Sequence, residues 1–396
     1  MKLNASPAFG SKAFLRAASG AMLALALLFS CDNTFGVFSE IQTEVRQVGT
    51  DQFKNATVRM LGEDGSNYYA AMAKVFKKAK AGGSWAVLSI GSASPSSSYF
   101  SLGFAVDQGT GTLYAAPGDL ATSSLLEIVS SSDSGSTWTA LVSTALQAGS
   151  GGSNTLAGLF FAGSTLFAQV QVKSTLKYSL FHYDSVASAF AAVGGLADLD
   201  SPVHALVHDG TQFWAATSAK LYKGAGAAAL AEDALSGSPS GAETIRGLAI
   251  LSDGDLAATT NDGQIYTHDF GTAAWSAVEV NDGVRLGAAV EVPVDPSNLA
   301  AGRRIIIGKH DAGYGYYEWN ASASPPSYLL GNAGTALYSQ PSSNYTTTVY
   351  GKPIQSLYFS DSEDTIFACL AAQGTDGYAL YSNRFASGAW SGWTAE

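Results

Sequence analysis

The stretch from Val203 to Leu230, VHALVHDGTQFWAATSAKLYKGAGAAAL, holds four short apolar signals in a fixed order, separated by polar or glycine breaks. The run Val203 to His208 ends at Asp209-Gly210, and the small-residue block Trp214-Ala215-Ala216 follows Phe213. Leu221-Tyr222 comes after a polar break, and Leu230 opens the last segment. Short apolar runs bounded by Gly, Asp, Asn and Ser are strand-and-turn signals. The best helical pattern elsewhere, Ala70 to Lys80, has several competing readings.

The same order recurs along the chain. The second signal, a large residue followed by two small ones, appears as Tyr69-Ala70-Ala71, Tyr114-Ala115-Ala116, Phe167-Ala168-Gln169, Leu256-Ala257-Ala258 and Phe367-Ala368-Cys369, with Ile306-Ile307-Gly308 as a weaker member. The third signal is an apolar pair: Val75-Phe76, Leu125-Leu126, Leu180-Phe181, Ile265-Tyr266, Tyr316-Tyr317 and Leu380-Tyr381. Trp85, Trp138, Phe190, Trp275, Tyr328 and Trp390 open the fourth. The interval stays close to the ~40–50 residues of a four-stranded propeller blade.

Together these signals predict an all-β fold: a seven-bladed β-propeller of four-stranded antiparallel blades, formed as a single domain by residues 50–396. Small residues are expected on the inner strands, where blades crowd towards the axis, and large aromatics in the wedges between blade faces. Six or eight blades, or two β-sandwiches of ~170 residues each, are the alternatives. The sandwiches require a break in phase, whereas strands of the same type resume directly after the Gly/Ser-rich segment 146–155.

Composition narrows the function. Only 13% of the residues are charged and the net charge is −11, so no basic field exists to hold nucleic acid. Hydrophobic residues make up 46% of the chain, enough for a large core, and two cysteines build no disulfide framework.

At the amino end, Lys2, Lys12 and Arg16 precede the uninterrupted apolar run Ala21 to Phe29. That run is far shorter than the ~20 residues of a spanning helix, and residues 1–30 read as a signal peptide. Leu28-Phe29-Ser30-Cys31 resembles the lipobox of bacterial lipoproteins, with Phe29 placing it among the relaxed, spirochaete-like forms. The resemblance implies cleavage after Ser30, a diacylglyceryl thioether on Cys31 and an acylated new amino terminus. Residues 31–49 would then be the lipidated N-terminus and spacer of a protein held on a membrane in the cell envelope, outside the cytoplasm. Two or three acyl chains anchor stably where one is marginal. Cys369, within Thr365 to Leu370, reads as a buried strand thiol.

Ser131-Ser132-Asp133-Ser134-Gly135-Ser136-Thr137-Trp138 resembles the Asp-box (BNR) repeats of sialidase-like propellers. In those families the box is a structural turn on the rim, which implies that role for Ser131, Asp133, Gly135 and Trp138. Sialidase chemistry needs three arginines, a tyrosine nucleophile and acidic partners. Arg59, Arg246 and Arg285 fall on candidate inner strands of separate blades, but Met60-Leu61 stands where Arg-Ile-Pro would be required. His204 and His208, four apart on a strand, share a face at ~13 Å, too far to share a metal ion. Asp361-Ser362-Glu363-Asp364 and Asp198-Leu199-Asp200 read as solvated turns. Lys74, Lys77, Lys78 and Lys80 form the one basic cluster, suited to an anionic headgroup, a glycan or neither.

The expectation is therefore a non-enzymatic binding or scaffold propeller for a protein or glycan ligand, with no catalytic residue, metal or cofactor. The alternative is a sialidase-like glycan hydrolase or lyase, which would gather two carboxylates, or three arginines with a tyrosine, at the mouth of the central channel.

Overall fold

The computed structural model describes Phe53 and residues 57–118, 127–147, 154–233, 245–269, 274–279, 284–310, 315–320, 327–330, 349, 353–371 and 379–396. The leader, the lipobox residues Leu28, Ser30 and Cys31, and the spacer to residue 49 lie outside these. Thr50–Glu396 forms one compact unit.

Seven antiparallel meanders of four consecutive strands follow one another. Blade 1 comprises β1 (Met60–Glu63), β2 (Asn67–Ala71), β3 (Val75–Ala79) and β4 (Ala86–Val87). Blade 2 comprises β5 (Phe100–Asp107), β6 (Thr112–Gly118), β7 (Ile128–Ser131) and β8 (Thr139–Leu141). The four-residue helix α1 (Thr144–Gln147) leads to blade 3, β9 (Thr155–Ala162), β10 (Thr165–Val172), β11 (Lys177–Asp184) and β12 (Ala189–Ala192). Blade 4 is β13 (Val203–His208), β14 (Phe213–Thr217), β15 (Leu221–Gly226) and β16 (Ala229–Asp233). Blade 5 is β17 (Ile245–Ile250), β18 (Leu256–Thr260), β19 (Gln264–Asp269) and β20 (Ala274–Glu279). Blade 6 is β21 (Leu286–Pro293), β22 (Arg303–Lys309), β23 (Tyr316–Asn320) and β24 (Ser327–Leu330). Blade 7 is β25 (Ile354–Ser360), β26 (Thr365–Leu370), β27 (Leu380–Ala386) and β28 (Ala389–Trp390), with β29 (Thr394–Ala395) also paired to β27.

The first strand of each blade touches the first strand of the next, from β1 through β25 and back to β1. These first strands are the innermost ones. The small-residue strands are therefore second from the axis, which corrects the expectation that they line it. They sit there because both of their faces are covered: every residue of β14, β18 and β26 is buried. Alanine lets a neighbouring blade face approach on each side. Crowding at the axis itself is relieved by glycine: a Cβ on Gly103 would lie 2.8 Å from the Leu159 Cβ of blade 3, and one on Gly247 would lie 2.7 Å from the Gly287 carbonyl of blade 6.

The core is divided into seven clusters, one between each pair of adjacent blades. Tyr69, Ala71 and Val75 of blade 1 meet Phe104, Leu113 and Val129 of blade 2, and Trp214 and Leu221 of blade 4 meet Leu256 and Tyr266 of blade 5. Each fully buried aromatic or aliphatic side chain contributes about 1.5–3 kcal/mol. Trp85, Trp138, Phe190 and Leu230, at the start of their blades' outer strands, are all buried. In blade 2 the third strand begins at Ile128, so its apolar pair is Ile128-Val129; Leu125-Leu126 falls outside the described residues.

Among the described residues no strand is exchanged between blades 7 and 1. The Phe53 carbonyl accepts the Ala379 N–H, its ring packs edge-on against Phe76 and Trp85, and Ser360 Oγ donates to Glu63 Oε2 at 2.6 Å.

Candidate binding site at the axial mouth

Among the described residues each first strand pairs only with its own second strand, so its other edge faces the axis. At the start of that strand six of the seven blades carry a β-bulge. Leu102, Ala157, His204, Arg246 and Gln355 are each an extra residue in the register of β5, β9, β13, β17 and β25. In β21 the irregularity takes in Gly287 and Ala288. In blade 1 the Arg59 N–H bonds the carbonyl of Ala71, the residue that Met60 already opposes. A bulge bends the strand and re-aims one side chain, and it blunts an edge that would otherwise template foreign strands. The six bulges lie at one end of the ring, and Arg59 takes the matching place in blade 1. Arg59, Ala157, His204, Arg246 and Gln355 are exposed there.

His204 shows what kind of mouth this is. Its surface is open to solvent, yet crowding by protein pushes its pKa down to about 4, with the positive charge of Arg246 adding to the effect. Hydrogen bonds to the backbone of Ile245 and Pro202 pull weakly the other way. The imidazole is neutral at physiological pH and serves as a hydrogen-bonding group beside a guanidinium. Arg285 is exposed immediately before β21, at the same end of the ring.

The bulge also alters the histidine geometry expected from the sequence. It breaks the strict alternation between His204 and His208, so they do not share a face. His204 reaches blade 5, while His208 Nδ1 accepts the Gly210 N–H at 3.1 Å and its ring packs on Phe213 at 4.5 Å. Among the described residues no group of three or more His, Cys, Asp or Glu is placed to hold a metal ion.

The other end of the ring differs in charge. Its inner turns, joining first strands to second, carry an acidic residue in six of the seven blades: Asp64, Asp107, Asp209, Asp253, Asp295 and Asp361. The reason is local, because aspartate closes a turn by accepting backbone N–H groups. Asp64 Oδ1 accepts from Ser66 and Asn67, and Asp209 Oδ1 from Thr211 and Gln212. Between blades 5, 6 and 7 this end opens into a cleft of about 410 Å³, lined in part by Ser252, Glu291, Arg303, Phe359 and Asp361. Glu291 is already engaged there, by the Ser252 N–H at 2.7 Å and by Arg303 at 3.5 Å.

The turn Ser131–Trp138 joins β7 to β8 at this acidic end, away from the bulged mouth. Asp133 accepts the Thr137 N–H and hydroxyl at 2.8 and 2.6 Å and the Ser131 hydroxyl at 2.7 Å. Ser131 Oγ accepts the Gly135 N–H, Gly135 has φ +85°, and the Trp138 indole donates to the Ser89 carbonyl. The bonds from Thr137, then from Ser131, hold the Asp133 pKa at about 2. In the lysine cluster, Lys77 donates to the Ser134 carbonyl of blade 2, Lys78 pairs with Glu396 of blade 7, and Lys80 pairs with Glu63 in its own blade and donates to Ser362 Oγ of blade 7. Cys369 is buried, and desolvation raises its thiol pKa to about 12.

The bulges were not anticipated from the sequence, although a signal is present. In five blades the residue after the bulged one is small: Gly103, Gly158, Ala205, Gly247 and Ser356.

No family model matches the chain, and no curated protein does. Among solved structures, the chain is similar to the extracellular domain of the BT4673 one-component system of B. thetaiotaomicron, at 13% identity over 84% of this chain and 39% of that one, with a TM-score of 0.53. It is similar to the GH74 xyloglucanase of Xanthomonas campestris at 15% identity over 85% of this chain and 54% of that one, TM-score 0.57. It also resembles YCF48, solved with a D1 peptide, at 10% identity over 84% and 93%, TM-score 0.52. The chain thus spans less than two thirds of the first two neighbours, and at these identities the likeness shows the fold alone. Among the described residues no helix is long and apolar enough to cross a membrane.

Proposed function

We propose that this propeller is a lipid-anchored binding or scaffold protein of the bacterial envelope, facing away from the cytoplasm, and that it holds its ligand at the bulged mouth without transforming it. One observation carries the reading: a constant backbone device, repeated in six blades and matched at Arg59 in the remaining one, presents side chains that differ from blade to blade. Arg59, Leu102, Ala157, His204, Arg246, Ala288 and Gln355 occupy one structural position. Repetition of framework with variation of side chain is the pattern of a recognition surface. Among the described residues, the bulged positions offer no pair of carboxylates for acid and base roles in glycoside hydrolysis. The anchor rests on the lipobox resemblance at Cys31, and the ligand class is a protein or a glycan. The Asp-box-like turn at Asp133 has a structural role in this reading.

Glycan hydrolysis has one observation in its favour, the approach of Glu291 and Asp361 to a common cleft. The ion pair of Glu291 with Arg303 ties up one of the two acids.

The reading is tested with the full chain in its native host. Palmitate should label the wild type and not Cys31→Ala. A photo-crosslinker replacing Gln355 should capture a defined ligand, while one replacing Val186, 95% exposed at the other end, should not. Lack of label on the wild type removes the anchor. Equal capture at both positions removes the mouth as the binding site.

A further inference from the structure

Five of the six inner-turn aspartates close the turn they stand in. Asp64, Asp107, Asp209, Asp253 and Asp295 each accept the backbone N–H two residues on, at 2.7–3.0 Å. Asp361 does not. Its turn is held instead by the Thr365 hydroxyl, which donates to the Glu363 carbonyl at 2.8 Å, and among the described residues the exposed Asp361 carboxylate takes no hydrogen bond. Of the six it alone lines the cleft between blades 5, 6 and 7.

Glu291 meets the same cleft only half engaged. The Ser252 N–H at 2.7 Å and Arg303 at 3.5 Å both approach its Oε2, and among the described residues Oε1 has no partner. The pair is loose beside Arg304 with Glu318 and Arg384 with Glu363, each at 2.8 Å, so the Arg303 guanidinium keeps N–H donors to offer. Ile250, Val290 and Phe359, all half-buried, give the cleft an apolar wall. Its volume of about 410 Å³ falls within the ~300–1,000 Å³ of small-molecule sites, which combine such walls with a few placed polar groups.

We infer that this cleft is a second binding site, for a neutral saccharide, at the opposite end of the ring from the bulged mouth. Acceptors and donors side by side on an apolar wall are complementary to a ring that carries vicinal hydroxyls on its edge and C–H groups on its face. One hydroxyl donates to Glu291 Oε1 or to Asp361, its neighbour accepts from Arg303, and the C–H face lies on Phe359. A cation would have to sit beside the Arg303 guanidinium and an anion beside two carboxylates, whereas a neutral polyol uses both kinds of group at once. The site stands whether or not the bulged mouth holds a ligand of its own.

The test uses the full chain with the methyl glycosides of glucose, galactose, mannose and N-acetylglucosamine, and with spermidine and acetate as charged probes at constant ionic strength. Sugars raise melting temperatures simply by exclusion from the protein surface, so binding is read as heat and as saturation transfer in NMR. At least one glycoside should bind saturably. Asp361→Ala should raise its half-saturating concentration roughly tenfold, the worth of a hydrogen bond to a charged group, and leave the urea midpoint unchanged, because that carboxylate closes no turn. Asp184→Ala, which removes an acid at the same end on blade 3 whose carboxylate accepts the Val186 and Ala187 N–H groups, should leave the half-saturating concentration unchanged. Absence of saturation transfer from all four glycosides overturns the proposal. So does tighter binding of spermidine or acetate than of any glycoside, or a glycoside response that Asp361→Ala does not weaken. Capture at position 355 together with no glycoside response would leave the bulged mouth standing and remove this cleft alone.

Discussion

Lys78 of the first blade and Glu396 of the last meet at 2.5 Å across the seam where the ring closes. The same carboxylate accepts the Trp85 indole N–H at 3.1 Å and the Ser382 hydroxyl at 2.6 Å. One side chain thus joins the outer part of blade 7 to the third strand of blade 1, and its environment is largely desolvated. Burial works to raise its pKa, but Lys78, Ser382 and Trp85 together leave it below its ordinary value.

Glu396→Gln should therefore destabilise the protein by about 1–3 kcal/mol at neutral pH, because the Lys78 ammonium loses its partner in a half-buried site. The pH dependence has a definite sign. A carboxyl with a depressed folded pKa contributes stability above its unfolded value, and that contribution is lost as the pH falls through the folded value. Below pH 4.5 the wild type should lose stability more steeply than Glu396→Gln, as measured by urea unfolding across pH 2–7.

Gln169 of blade 3, buried on the second strand, reaches the free edge of the next blade. Its amide oxygen accepts the Val203 N–H at 2.7 Å and its nitrogen donates to the Val203 carbonyl at 3.2 Å. A side chain here takes the place of a ladder bond between two blades. Gln169→Leu keeps the volume and strands both backbone groups, which should cost about 1–3 kcal/mol for each one left unsatisfied. Thermal unfolding measures the loss, and hydrogen exchange should show the Val203 amide opening faster than its neighbours.

Gly103 and Gly247 are positions where neighbouring blades approach closely. Valine at either would force the first strands apart, against Leu159 in one case and the Gly287 carbonyl in the other. Overpacking of a close-packed interior typically costs 1–3 kcal/mol, and contact with a backbone carbonyl leaves little room to yield. Gly226→Ala, where an added Cβ meets nothing within 4 Å, should stay within ~0.5 kcal/mol of the wild type. Equal midpoints for Gly247→Val and Gly226→Ala would show that the axis is not crowded.

Cys369 should be inert in the folded protein, since its thiol is wholly buried and its pKa lies near 12. Alkylation requires the thiolate. In a Cys31→Ala chain, maleimide should add no label under native conditions and one label in denaturant, counted by mass spectrometry. Native labelling would show that blades 7 and 1 separate on the timescale of the reaction.

The sequence made the blades legible because each strand has a distinct job. A doubly covered second strand needs small residues, as at Trp214-Ala215-Ala216, and an outer strand begins with a large one, as at Trp85 and Trp138. The order of signals therefore survives a sequence that matches no family model. Which strand faces the axis was not legible, because alanine signals close approach on either side and says nothing about radius. The bulges escaped for a related reason. An extra residue changes register without changing composition, so Arg246 looked like one more strand residue and His204 like the partner of His208. The lipobox resemblance lies wholly in local sequence, at Leu28, Ser30 and Cys31, which are outside the described residues.

The placement of the seven core clusters has a further consequence. Each lies between two blades, so no blade owns a core, while every blade is a run of four strands in unbroken sequence order. Energetically the ring is a cycle of like junctions, in which the junction between blades 7 and 1 is one among seven. The covalent break in the cycle is then a matter of accident more than design. Opening the chain between any other two blades and joining it across the present seam would keep every hairpin and every cluster, and the same lineage of sequences could gain or lose a blade by duplicating or deleting one uninterrupted segment.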